Sequence, residues 1–590
     1  MLFQKKFMIP LLLIVVGYFI GISPEFKIIA AGVAIFLIGM YFMEDGFKVF
    51  AGGTLQRVLK KTTNTLTRAF FSGFIATSIV QSSSLITVIT ISFLSADLIV
   101  LSQAIGIVYG SNLGTTTTAW IIAAFGVKVK IAYYAMPMLV FGIILRSVHS
   151  KSYQGLGFIL LGLGFIFLGI GYMKEGFDTL QNAIDLSQMA ISGFLGLLFY
   201  IAVGTVATVI LQSSSASMAI IITALAAGQI EYTSALALAI GSNIGTTITA
   251  ILGSLASNTN GKRLALAHLI FNIITAMMAV VFLSYFVELV NIFATYLAIA
   301  EDNYLLKLAL FHTLFNLFGI LLIIPFTSHL VSFISKIIPQ KKVSRGKARY
   351  LNPTVLQTAQ SANAALHKEL EHLYDIVTEG LMHALLLHRS DVISDDNLKH
   401  AIKRKVNDIE INVEHFYQVR AKNLYGVILD YATKAASSMT QDELKYLYEY
   451  KVANRTMINI LKQAKEMHKN ILKYNQHSNQ HIRYEYDTIR LNLASMIREI
   501  EIIYHSDDDM KTLTQIHILA EISQELDIMK SNRIDTLIRD KKIDTMMATS
   551  LMNDSDYAYQ ISKKLLDIAR ILWIEDKDIR EFELEEDSEI

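Results

Sequence analysis

The chain has 590 residues, 53% of them hydrophobic, with a net charge of +1 and no cysteine. No cysteine excludes disulfides, thiol catalysis and a cysteine-held zinc, and a near-neutral balance offers nucleic acid no purchase. The charge is uneven, with 28 Asp, Glu, Lys and Arg residues in 1–340 and 75 in 341–590, so a membrane domain over 1–340 precedes a soluble domain over 341–590.

In chain order, Lys5-Lys6 opens a short apolar run at 7–22 with no small-residue cleavage site behind it. This reads as a retained helix, shorter than the ~20 residues a crossing usually needs. Apolar segments follow at about 28–50, 70–97, 100–125, 131–148, 154–174, 193–228, 232–255, 265–287 and 307–326.

One unit is written twice within them. Gly73 to Ser84 returns as Gly204 to Ser215, both ending in Gln-Ser-Ser-Ser (Gln81–Ser84 and Gln212–Ser215). Gly110-Ser-Asn112-Leu-Gly-Thr115-Thr116 returns as Gly241-Ser-Asn243-Ile-Gly-Thr246-Thr247. Both recur at one offset, 131 residues (212 − 81 and 241 − 110), which marks a duplicated unit. A shorter match, Gly39–Phe47 against Gly169–Phe177, extends each copy upstream. Glu44, Asp45, Lys174 and Glu175 lie in it and read as interfacial caps or pairs. Repeat one covers about 28–148 and repeat two about 154–291, with a final helix at 307–326.

A polar motif in mid-segment cannot face lipid, so a re-entrant hairpin with its tip at each Gln-Ser-Ser-Ser is predicted. The 51–68 loop carries Arg57, Lys60, Lys61 and Arg68, and its repeat partner near 178–192 carries Asp178 and Asp185. The positive-inside bias places the first in the cytoplasm and the second outside. The basic run from Lys336 to Arg349 then puts the C-terminal domain inside. Only the loop with Lys128 and Lys130 goes against this scheme, which needs eight crossings and two hairpins in inverted repeats.

Two inverted hairpin tips would bring Gln81, Ser82, Ser83 and Ser84 against Gln212, Ser213, Ser214 and Ser215. Half-helix N-termini and hydroxyls suit an anion. Amide oxygens of Gln81, Gln212, Asn112 and Asn243 suit a hard cation such as sodium. Helix packing is the competing reading of any one such motif. Two copies at equal offset favour a solute site at the repeat interface. His268 and Asn272, and likewise His312 and Asn316, share a helix face at i, i+4 and read as interhelical bonds.

The paired Gln-Ser-Ser-Ser motifs, each followed by Gly-Ser-Asn-x-Gly-Thr-Thr, resemble the type II sodium–phosphate cotransporter family over most of 28–326. The resemblance implies a non-enzymatic, multi-pass cell-membrane transporter of inorganic phosphate, with sodium as coupling ion and no other cofactor. By matching motif it implies a phosphate and sodium site of Gln81, Ser82, Ser83, Ser84, Asn112, Thr115 and Thr116 with Gln212, Ser213, Ser214, Ser215, Asn243, Thr246 and Thr247.

Residues 341–590 read as a bundle of about six amphipathic helices, at 353–389, 396–422, 440–473, 478–504, 511–538 and 540–574. Asn352-Pro353 marks the first helix start. Lys405–Ile411 and Ser550–Asp554 resemble the PhoU-like domains fused to bacterial phosphate transporters. Such a domain implies a regulatory role, with a regulatory protein or a second copy of the chain as candidate partner. Lys405 stands where metal-binding relatives carry an acid, so a solvated bundle face is expected there rather than a metal site.

The fold expected is all-α: a polytopic membrane transporter with inverted repeats and re-entrant hairpins, plus a cytoplasmic helical bundle. Sodium-coupled phosphate transport is the first functional expectation. The alternatives are a sodium-independent exporter of phosphate or a similar anion, and a membrane phosphate sensor. An intramembrane serine hydrolase lacks the Gly-x-Ser-x-Gly elbow.

Overall fold

The computed structural model describes residues 10, 13–14, 17–51, 59, 62–126, 132–183, 191, 193–340, 346–393, 398–403, 413–505, 509–526 and 533–574. Seven residues of the apolar run at 7–22 and the whole Lys405–Ile411 stretch lie outside them. The chain forms two compact units, one of 1–341 with 352–361 and one of 342–351 with 362–590. All regular elements among the described residues are helical.

The first unit contains α1 (Pro24–Ala51), α2 (Leu66–Val80), α3 (Ser83–Ser95), α4 (Leu101–Ile121), α5 (Ala132–Arg146), α6 (Lys151–Ala183) and α7 (Gly193–Leu211). There follow α8 (Ser214–Ala226), α9 (Tyr232–Gly245), α10 (Thr247–Ser254), α11 (Thr259–Val281), α12 (Leu283–Tyr296), α13 (Tyr304–Ile323) and α14 (Thr327–Ile337). Six described spans are long and apolar enough to cross a membrane: α1, α6, α7, α9 continuing into α10, α11, and α13 continuing into α14. The chain is therefore a polytopic, all-helical membrane protein. Helices α2, α3 and α8 have 15, 13 and 13 residues, too short for a full crossing.

Glycines set how the helices meet. Gly32, Gly39 and Gly46 of α1 face Met173, Ile166 and Ile159 of α6, where a Cβ would lie 2.6, 2.6 and 2.7 Å from backbone nitrogens. Rising numbers on one helix meet falling numbers on the other, so α1 and α6 pack antiparallel. Small residues let membrane helices approach to backbone contact, where dispersion replaces the missing hydrophobic drive.

The repeats use the same device at equivalent places. A Cβ on Gly73 would lie 2.1 Å from the Ile107 carbonyl oxygen, and one on Gly204 would lie 2.3 Å from that of Leu238. Gly110 meets the Phe70 oxygen at 1.9 Å and Gly241 the Ile201 oxygen at 2.1 Å. Thr77 shares a 2.8 Å hydrogen bond with Ser111, and Thr208 donates to Ser242 at 3.0 Å. Each partner in repeat two sits 131 residues beyond its counterpart, so the duplication in the sequence is a duplication in space.

Around 352 the chain departs from the single helix start expected. Asn352 caps a 3-10 turn over Pro353–Gln357, its side chain accepting from the Thr354 N–H at 3.1 Å. Thr358 is extended and its hydroxyl accepts from Ser361 N–H at 3.1 Å, which starts a second helix, α15 (Ala359–Ala384). Ser92 of α3 donates to the Thr354 carbonyl at 3.0 Å and shares a 2.7 Å bond with Ser361. Thr354, Val355, Thr358 and Ser361 are all buried.

In the second unit α16 (Gln441–Asn475), α17 (Gln480–Tyr504), α18 (Asp509–Glu525) and α19 (Thr545–Trp573) form the main bundle, with shorter pieces between α15 and α16. Helix Lys422–Ala435 runs through the joint expected near 422–440. The fully buried Arg490 guanidinium donates to the carbonyls of Leu385 (2.8 Å) and Ile402 (3.1 Å) and to Asp487 (2.9 Å). At Leu385 it satisfies a carbonyl that the end of α15 leaves without an intrahelical partner.

Asp554 is buried and accepts from the Tyr486 hydroxyl at 2.6 Å. Burial pushes its carboxyl up to about 6, against the Tyr486 bond that holds it down. A raised carboxyl stabilises the fold while protonated, and that contribution is lost as the pH rises from about 4 through 6. Asp554→Asn is therefore expected to match wild type near pH 3 and to exceed it above pH 6.5 by roughly 2–3 kcal/mol. Thermal unfolding of both proteins at the two pH values checks this.

Candidate functional site

The Gln-Ser-Ser-Ser motif turns one helix into the next within two residues. Helix α2 ends at Val80, and Gln81 adopts a left-handed backbone (φ 59°) with its N–H on the Thr77 carbonyl at 2.7 Å. Ser82 is extended, its hydroxyl accepts from the Leu85 N–H at 3.2 Å, and α3 begins at Ser83. Repeat two does the same: Gln212 has φ 53° with its N–H on Thr208 at 2.8 Å, and Ser213 accepts from Ala216 at 3.1 Å. Left-handed backbone on a non-glycine residue costs of order 1–3 kcal/mol and persists where the surroundings impose it. Here it points the free N–H groups and positive dipole ends of α3 and α8 inward.

The two helix starts face one cavity of about 290 Å³. Repeat one lends Ser82, Ser83 and Ser84, and repeat two lends Gln212, Ser213, Ser214, Ser215 and Thr249. Helix α1 lends Met40, Tyr41 and Glu44. Ser83 and Ser214 are 7% and 6% exposed, and their hydroxyls have no hydrogen-bond partner among the described residues. Both residues line the cavity, so these hydroxyls are open to a ligand or water there.

The pseudo-symmetry breaks at the walls. Gln81 is tied back, donating to Thr117 at 3.0 Å and accepting from Thr118 at 2.8 Å. Gln212 faces the cavity instead. Ser82 donates to the Glu44 carboxylate, whereas Ser213 donates to the Met40 sulfur at 3.4 Å. Thr118 shares a 3.3 Å bond with Ser215, which joins the repeats beside the cavity.

Asn112 and Asn243 are not among the cavity-lining residues. The Asn272 side-chain oxygen accepts from Asn112 at 3.1 Å and from Asn243 at 3.0 Å. Asn243 also donates to Asn316 at 3.0 Å, and His268 Nε2 lies 3.2 Å from the Asn112 oxygen. The expected interhelical His–Asn bond is made by His268 with Asn112, whereas in the second pair only Asn316 bonds across helices among the described residues; Asn272 clamps both repeats together. Thr115, Thr116, Thr246 and Thr247 donate to backbone carbonyls three or four residues back, at Ser111, Leu113, Ser242 and Ile244.

Sequence reasoning does not find Thr249 and Glu44 as lining residues. Thr249 carries a signal, being the repeat-two equivalent of Thr118. Glu44 carries only that of an acid inside an apolar segment, which fits an interfacial cap equally well. Asp45 does behave that way, pairing with Lys48 at 3.1 Å on the exposed side. No basic residue lines the cavity among the described residues. An anion about 4 Å from the Glu44 carboxylate would be repelled by roughly 4 kcal/mol at an effective dielectric constant near 20 unless a counter-charge stood between them.

A duplicated pair of broken helices around a small polar cavity, inside an all-helical polytopic chain, defines a membrane transport protein rather than an enzyme. The chain belongs to the Na+/Pi-cotransporter family, which matches residues 35–175 and 186–300. It is 30% identical over 257 residues to the uncharacterized protein YqeW of Bacillus subtilis (strain 168), covering 42% of this chain and 80% of that one. It is 28% identical over 268 residues to a protein of Escherichia coli (strain K12) named "Putative inorganic phosphate export protein YjbB", covering 44% of this chain and 47% of that one. It thus spans about half the length of the E. coli relative. Over 87 residues it is 41% identical to the sodium-dependent phosphate transport protein 2C of Mus musculus, 14% of each chain. No solved structure matches the chain.

Proposed function

We propose that this chain is a sodium-coupled transporter of inorganic phosphate that binds its substrate between the two Gln-Ser-Ser-Ser hairpins. The observation that carries the reading is the shared cavity, lined at two helix N-termini by two largely buried serines, Ser83 and Ser214, whose hydroxyls have no partner among the described residues. A tetrahedral oxyanion accepts from hydroxyls and helix-start N–H groups alike. The membership in a family of sodium–phosphate cotransporters supports the substrate and the coupling ion. The antiparallel packing of α1 on α6 supports inverted repeats, and with them alternating access. The loop charges support a cell-membrane orientation with the PhoU-like bundle in the cytoplasm, where it regulates flux.

Export is the second reading, favoured by the name of the E. coli relative. Phosphate flux in liposomes under sodium gradients of either sign separates the two. In that assay Ser83→Ala and Ser214→Ala should each weaken apparent phosphate affinity, since a hydroxyl bonded to an anion is worth ~1.5–3 kcal/mol, about ten- to a hundredfold. The double variant should lose less than the product of the two, because both groups touch one ligand. Folded variants with wild-type phosphate dependence would reject the shared site.

A further inference from the structure

The proposed transport reaction leaves one group in the cavity without a task, the carboxylate of Glu44. It reaches the cavity from α1 and takes a hydrogen bond from Ser82, the residue that caps α3. Its neighbour Lys48 is turned to Asp45 on the exposed side. The matching position in repeat two is Lys174, which is not among the cavity-lining residues. The two hairpins therefore differ in charge: the capping serine of the first bonds to a carboxylate, Glu44, and that of the second to a thioether, Met40.

A carboxylate next to an anion site weakens it unless a cation lies between. The oxygens gathered at the first hairpin are hard donors: the Glu44 carboxylate with the hydroxyls of Ser82 and Ser83. Hard oxygen sets suit sodium. Ser83 is nine-tenths buried and lines the cavity that the Glu44 carboxylate reaches, with no partner for its hydroxyl among the described residues, so an oxygen lone pair stands free in that cavity.

We propose that Glu44 ligates the coupling sodium at the first hairpin, with the Ser83 hydroxyl between that ion and the phosphate, while the N-terminus of α8, with Ser213, Ser214 and Gln212, holds the other side of the phosphate. The assignment rests on the sodium-coupled reading above and divides the labour within it. Sodium then neutralises the carboxylate and brings phosphate affinity with it. This is a differential interaction that makes each ligand strengthen the other. A purely structural Glu44, serving only to hold the Ser82 cap, would not move the sodium response.

The test uses the full chain in lipid. Thermal stability is followed in sodium against potassium at constant ionic strength, and phosphate flux is followed against sodium concentration. Glu44→Gln should raise the sodium concentration for half-maximal flux at least tenfold and remove the sodium-induced rise in Tm. Glu44→Asp should fall between, and Ser214→Ala should shift the phosphate response while keeping the sodium-induced rise in Tm. An unchanged sodium response in a folded Glu44→Gln overturns the proposal, as does a change confined to the pH profile, which would make Glu44 a proton carrier. If Glu44→Gln does not fold, Glu44→Asp decides, and a wild-type sodium response there overturns it. Sodium-driven flux with no dependence on Glu44 rejects the cation site and leaves the transport reading standing. Sodium stabilisation that depends on Glu44, without any phosphate flux, rejects the transport reading and leaves the cation site.

Discussion

Gly110→Val and Gly241→Val should each leave almost no folded protein in the membrane. At Gly110 a Cβ would sit 1.9 Å from the Phe70 carbonyl oxygen and 2.7 Å from the Phe74 nitrogen; at Gly241 it would sit 2.1 Å from the Ile201 oxygen. The obstructing atoms are helix backbone, which cannot rotate away as a side chain tip can. α2 must then separate from α4, or α7 from α9, along the whole contact. Losses above 4–5 kcal/mol come from such overpacking, and total stabilities are only about 5–15 kcal/mol. Gly171, a helical glycine where an added Cβ would meet nothing within 4 Å, provides the contrast. Gly171→Ala should be neutral or gain up to ~1 kcal/mol from helix propensity. Monodisperse yield on size exclusion after detergent extraction reads both outcomes.

Asn272→Leu carries the second large effect. One amide oxygen serves two donors, Asn112 and Asn243, from the two repeats. Leucine fills a similar volume but leaves two buried N–H groups without an acceptor. Each such group costs about 1–3 kcal/mol, so the variant should lose roughly 2–6 kcal/mol. Adding Asn112→Leu should recover part of that loss by removing one orphaned donor, a coupling that a thermal double-mutant cycle measures. Additive losses would mean that the amides do not act as one network.

Those two effects mark the boundary of what is legible in the sequence. The duplication is readable because its polar words are short, rare in apolar segments and equally spaced. The hairpin break is readable because a buried backbone turn must be capped, and Ser82 and Ser213 do cap it. Rotation of each helix about its axis is not readable. Asn112 and Asn243 sit in the same motifs as their neighbours, yet their helices turn them onto Asn272 rather than toward the cavity. Glu44 looks like a cap because a lone acid in an apolar helix has no partner within its own segment. Its partner, Ser82, comes from the hairpin 38 residues on. The second unit follows its amphipathic pattern in its long helices but not at its breaks: a threonine hydroxyl at 358 restarts the helix that Pro353 had opened, and Lys422–Ala435 is helical where a joint is expected.

The clasp between Ser92 and the Thr354–Ser361 segment has a practical consequence for anyone dividing this chain. Hydropathy ends at about residue 340, and a recombinant membrane domain cut there would look complete. It would lack the ten residues Asn352–Ser361 that fold with the membrane unit. The missing stretch takes with it both partners of the buried Ser92 hydroxyl and the buried side chain of Val355. A hairpin bared in this way would bias measurements of transport or binding through a defect of the fragment. The sound place to cut is within the first turns of α15, after Ser361, so that the strap stays on the half it belongs to.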